Sequence, residues 1–88
     1  MKRYVIRITG KVQGVFYRDT ARHAAVRLGR SGFARNEPDG SVYVEVEGEE
    51  AALREFLKWC PQGSQSSEVE NIEYSEGEVV GHQGFETR

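Results

Sequence analysis

Two hydrophobic periods alternate along this 88-residue chain, and their order limits the available folds more than any other feature. Tyr4, Ile6 and Ile8 recur every second residue, with Arg3, Val5 and Arg7 between them. That pattern reads as a half-buried strand over Tyr4 to Thr9. From about Arg18 the period lengthens. Ala21, Ala24, Ala25 and Leu28 fall on one face of a helix, and Gly29 stands where a helix stops. Phe33 to Asn36 returns to strand character. Pro38-Asp39-Gly40 has the chemistry of a tight turn, and Val42, Val44 and Val46 then alternate with Tyr43, Glu45 and Glu47 in a third strand closed by Gly48. Leu53, Phe56, Leu57 and Cys60 mark a second helix over Glu49 to Cys60. Glu49 and Glu50 suit its positive end, Lys58 suits its negative end, and Pro61 blocks its continuation. A polar connection over residues 61–68 leads to a fourth strand around Val69, Ile72 and Tyr74. Gly77, Gly81 and Gly84 punctuate the tail before a short ending around Phe85.

The order is β-α-β-β-α-β plus a short C-terminal strand. Two right-handed crossovers then predict an α+β, ferredoxin-like sandwich: one antiparallel sheet with two helices on one face. The length suits one domain spanning residues 1–88. No apolar run approaches the ~18 residues of a membrane span, and Arg7 interrupts the apolar stretch that a signal peptide requires. Cys60, the only cysteine, has no partner for an internal disulfide, so a reducing, cytoplasmic setting is expected. The size suits a monomer.

Charge is distributed unevenly. Nine basic residues and only Asp19 precede Glu37, whereas three basic and thirteen acidic residues occupy the rest, for a net charge of −2. In the predicted topology the first strand lies beside the third, so Arg3 and Arg7 neighbour Glu45 and Glu47, and such pairs contribute roughly 0.2–1 kcal/mol each. Sheet pairing leaves Lys11, Arg18 and Arg35 to be explained. Gly10-Lys11-Val12-Gln13-Gly14-Val15 joins a strand to a helix N-terminus, a junction whose free N–H groups attract anions. Arg18, at the helix start, offers a planar fork of donors that matches phosphate. An anion site and an ordinary strand–helix turn with a surface arginine both fit this junction. Asn36, before the tight turn, is either a turn residue or a carboxamide that holds water. No Gly-Lys-Ser/Thr ends the loop, so it is not a nucleoside-triphosphate loop.

Gly10-Lys11-Val12-Gln13-Gly14-Val15-Phe16-Tyr17-Arg18 resembles the first signature of the acylphosphatase family. Gly32-Phe33-Ala34-Arg35-Asn36, followed at the matching spacing by Gly40, Val42 and Gly48, resembles its second. The ending Gly84-Phe85-Glu86-Thr87-Arg88 is similar to the family's last strand. The resemblance implies hydrolysis of small-molecule acyl phosphates to a carboxylate and inorganic phosphate, with phosphate also a competitive inhibitor and with neither metal nor organic cofactor. It implies that Arg18 and the backbone N–H groups of Gln13, Gly14, Val15, Phe16, Tyr17 and Arg18 hold the phosphoryl group, and that Asn36 orients the attacking water. The sequence departs from the family's usual apolar residue at Arg30 and from its usual neutral residue at Glu37. Arg30 bears on packing after the first helix. Glu37 is read as a solvated turn residue and not as a general base.

The remaining polar candidates carry less. His23 and His82 lack partners at ligand spacing and are expected at the surface. Cys60 lies on the apolar helix face and is expected to be a buried thiol. Trp59 is expected to pack at the helix edge, and Lys11 to attract anions without touching them. RNA binding, known for sheets of this topology, needs aromatic residues on the central strands. Tyr43 stands there between Val42 and Val44 with Glu45 and Glu47 following, so no nucleic-acid partner is expected. The runner-up to the enzyme is a catalytically silent domain of the same family that binds a phosphate compound in a regulatory or maturation role.

Overall fold

The computed structural model describes all 88 residues. Strand β1 (Lys2–Lys11) leads into helix α1 (Tyr17–Arg27), then strands β2 (Ser31–Asn36) and β3 (Val42–Gly48). Helix α2 (Glu50–Trp59), strand β4 (Glu68–Gly77) and the short strand β5 (Phe85–Thr87) follow. The sheet order is β4-β1-β3-β2-β5. The first four strands pair antiparallel, as expected of a ferredoxin-like sandwich. β5 instead joins β2 in parallel, so the complete sheet is mixed. No helix is long and apolar enough to cross a membrane.

The period-two residues face the helices. Tyr4, Ile6 and Ile8 of β1 and Val42, Val44 and Val46 of β3 are buried against Ala21, Ala24 and Ala25 of α1 and Leu53, Phe56 and Cys60 of α2. Alanines on the inner face let α1 sit close to β2 and β5. After α1, Gly29 N–H donates to Val26 and Arg30 N–H to Ala25, closing the last carbonyls of the helix. The Arg30 side chain lies across Gly48, with its Nε donating to the Leu28 carbonyl at 3.0 Å. The long side chain thus covers the start of β2 where an apolar residue was the expected occupant.

The opposite face of the sheet is crossed by the segment joining β4 to β5, since these strands lie at opposite edges. Glu47 anchors this strap. Its carboxylate accepts the backbone N–H of Val80 at 2.5 Å and of His82 at 2.7 Å, with Gly81 at 3.2 Å. Glu45 binds Arg3 at 2.9 Å and Tyr43 Oη at 2.6 Å, with His82 Nε2 3.0 Å away. Cross-strand charge pairing is therefore only partly as expected. Arg3 finds Glu45, but Glu47 is committed to the strap, and Arg7 reaches Asp39 in the β2–β3 turn. His82 is likewise not a free surface residue. Its ring stands edge-on to Phe33, and its backbone is fixed by Glu47.

Candidate active site

The β1–α1 junction is shaped by alternating buried and open positions. Val12 and Val15 are 1% and 7% exposed and anchor the loop in the core. Between and after them Gly14 takes φ 73° and Phe16 takes φ 64°, both left-handed. Left-handed residues interspersed in a loop are the backbone pattern from which anion nests are built. None of the N–H groups from Gln13 to Phe16 donates to a backbone carbonyl. The first N–H groups of α1 add to them, together with the positive end of the helix dipole.

Neighbouring segments brace the loop. Gln13 Nε2 donates to the carbonyls of Glu37 at 2.8 Å and Ser41 at 2.9 Å, tying the loop to the β2–β3 turn. Ser64 Oγ donates to the Val15 carbonyl at 2.5 Å. Tyr17 Oη donates to the Cys60 carbonyl at 2.8 Å, and its ring packs against Trp59. Burial raises the Tyr17 hydroxyl above its usual range, so it remains a donor. The 61–68 connection, which reads only as polar in sequence, is thus a buttress of the loop.

A cleft of about 260 Å³ opens over this junction, lined by Val12, Gly14, Phe16, Tyr17, Arg18, Asp19, Asn36 and Thr87. Arg18 and Asn36 meet here although they come from different elements. Arg18 Nη1 donates to the carbonyl of Arg88 at 2.5 Å, leaving its other N–H groups available. Asn36 closes β2, and its Oδ1 is buried without a hydrogen-bond partner. An unpaired buried acceptor is costly unless a donor reaches it from the cleft. Of the residues named from sequence, Gly14, Phe16, Tyr17 and Arg18 line the cleft with Asn36. Gln13 and Val15 do not: one braces the turn and the other fills the core.

Asp19 and Thr87 were not foreseen. Thr87 arrives from the opposite end of the chain through the β5–β2 pairing, which no local pattern signals. The Arg22 hydrogen bond, with a smaller contribution from His23, holds the Asp19 carboxyl below its usual range. Glu37 turns to Arg35 at 2.9 Å and does not line the cleft. Cys60 is fully buried, and desolvation pushes its thiol up to about 12, so it is no nucleophile at neutral pH. No three His, Cys, Asp or Glu side chains converge in a metal-binding cluster.

The acylphosphatase family model matches residues 4–87. An acylphosphatase of Rubrobacter xylanophilus is 46% identical over 88 residues, spanning 99% of this chain and 80% of that protein. An acylphosphatase of Thermus thermophilus is 46% identical over 85 residues and is covered, like this chain, to 97%. The crystal structure of acylphosphatase from Bacillus subtilis superimposes with a TM-score of 0.98 at 34% identity, over 100% of this chain and 99% of that one.

Proposed function

The chain belongs to the acylphosphatase family and is an acylphosphatase, and we propose that it hydrolyses acyl phosphates with Arg18, the 13–18 loop amides and Asn36, without a metal or organic cofactor. The alternative of a silent phosphate-binding domain is not favoured, since relatives matching along nearly their whole length are acylphosphatases.

One observation carries the proposed division of labour. Unbonded loop N–H groups, the Arg18 guanidinium and Asn36, whose buried carboxamide oxygen has no partner in the protein, come together at one cleft. The phosphoryl oxygens occupy the loop amides and the Arg18 fork, where charge is stabilised by donors already in place. The Asn36 carboxamide hydrogen-bonds a water and holds its lone pair toward phosphorus. A new P–O bond forms to that water as the P–O bond to the acyl group breaks, and the electron pair leaves on the carboxylate. The water proton passes to a phosphoryl oxygen of the substrate. The leaving carboxylate has a conjugate acid of pKa about 4, like a glutamic acid, so its departure needs no general acid. Phosphoryl transfer of this kind depends on positioning and electrostatics. Inorganic phosphate fits the same cradle and competes with substrate. The single buried thiol suits a reducing cytoplasm.

The test is phosphate release from acetyl phosphate in the presence of EDTA. Turnover is expected to persist, with competitive inhibition by inorganic phosphate. Arg18→Ala weakens both turnover and phosphate inhibition. Asn36→Ala lowers kcat by roughly 10²-fold or more with little change in KM. Full turnover in Asn36→Ala would remove its water-positioning role, and a strict requirement for Mg²⁺ would overturn the mechanism.

A further inference from the structure

The chain has nine aromatic side chains, and every one except Phe16 packs against another aromatic ring. Phe16 is also 77% exposed and borders the active-site cleft. Its backbone is left-handed, at φ 64° and ψ 22°, and it is the only non-glycine residue with positive φ. That conformation is costly for a bulky side chain. Aiming a loop N–H at an anion explains the backbone angle, but glycine or asparagine reaches it at less cost. The phenyl ring therefore needs a reason of its own. Core packing is not that reason, because the ring is in solvent.

We propose that the Phe16 ring is the seat for the acyl group, and that this enzyme favours acyl phosphates whose acyl group is apolar and uncharged, aromatic ones most of all. The inference rests on the catalytic reading above. With water held at Asn36 and phosphorus in the loop, in-line displacement sends the acyl oxygen out on the side away from Asn36. Phe16 borders that cleft and is exposed, so its ring is open to an acyl group that extends toward solvent. Covering the ring removes apolar surface from water on both partners, and an aromatic acyl group gains stacking as well. Asp19 lines the same cleft and is kept ionised by its hydrogen bond from Arg22 at 2.8 Å. Its charge opposes a second carboxylate on the acyl group. Binding energy gained on this remote part of the substrate appears in kcat/KM.

The test compares benzoyl, acetyl and succinyl phosphate as substrates of the full chain and of Phe16→Ala, Phe16→Leu and Asp19→Asn. Ratios of kcat/KM are compared between variants, which cancels the intrinsic reactivity of each anhydride. The benzoyl-to-acetyl ratio is expected to fall about 5- to 10-fold in Phe16→Ala and to be largely kept in Phe16→Leu. The succinyl-to-acetyl ratio is expected to rise about threefold or more in Asp19→Asn. A benzoyl-to-acetyl ratio in Phe16→Ala equal to that of the unaltered protein overturns the seat. So does a dimer of the unaltered protein that Phe16→Ala abolishes without moving that ratio, since the ring would then serve a second copy. Failure of the unaltered protein to hydrolyse any of the three substrates would instead overturn the catalytic reading, which separates the two failures.

Discussion

Gln13 shows how a residue can belong to a catalytic signature without entering the cleft. Its side-chain amide donates to two carbonyls of the β2–β3 turn, so the loop carrying the N–H cradle and the hairpin carrying Asn36 are locked together. Replacing it by alanine is expected to cost about 1–2 kcal/mol of stability, from two lost bonds to carbonyls in a partly buried place. It should also lower kcat by about tenfold, because the cradle and the water-holding carboxamide would no longer share a fixed frame. Urea denaturation and steady-state kinetics of Gln13→Ala check the two parts. Arg18 and Asn36 were legible in the sequence because each sits at a fixed offset from glycines inside a short motif. Thr87 was not, because what places it is strand pairing between distant segments. His82 was misjudged for a related reason: its partner Glu45 lies on another strand, and nothing beside either residue announces the contact.

At the scale of elements, the hydrophobic periods identified both helices and the first four strands, with bounds off by a residue or two where ends lack strong capping. The polar 61–68 connection hid its role, since Ser64 acts through a bond to the Val15 carbonyl and not through burial of apolar surface. β2 has the strictest demand. Gly32 lies at φ 146°, and a Cβ there would overlap the Glu45 carbonyl of β3. Both atoms belong to rigid, paired backbone, so no side-chain adjustment relieves the overlap. Gly32 N–H also donates to the Gly84 carbonyl at 2.9 Å, which leads into β5. Gly32→Ala is expected to destabilise by roughly 3 kcal/mol or more, lowering Tm on the order of 10–20 °C in a thermal melt. A variant that melts with the unaltered protein would show that β2 and β3 can part at this point without loss.

Across the whole molecule, the uneven charge now has a structural use. Acidic residues of β3 face inward from the helix-free side and hold the strap. Burial alone would raise the Glu45 carboxyl, but the hydrogen bonds from Tyr43, His82 and Arg3 outweigh it and bring it down to about 2. Glu47 is also lowered, burial again being overcome by the strap N–H groups. A carboxyl lowered on folding contributes stability that is present above its unfolded value, near 4.5, and is lost as pH falls toward the folded value. For Glu45 that amounts to on the order of 2–3 kcal/mol. Tm is therefore expected to drop as pH falls from about 5 to 2. Glu45→Gln should melt lower at pH 7 and show a shallower drop over that range, as followed by circular dichroism. An unchanged slope would mean that the carboxylate is not a source of the acid sensitivity.

The strap also fixes when the enzyme becomes an enzyme. It delivers β5 to the edge beside β2, and with it Thr87 and the carbonyl that holds Arg18, so the cleft gathers residues from Val12 to Thr87. Such long-range closure is slow to form and comes late when loops must first be drawn together. A chain whose helices and central strands are in place but whose last strand is loose has a fluorescent Trp59 in its native stack and no finished catalytic centre. Turnover is thus a clock for the final act of folding, reading the arrival of the one strand that brings Thr87 into the cleft.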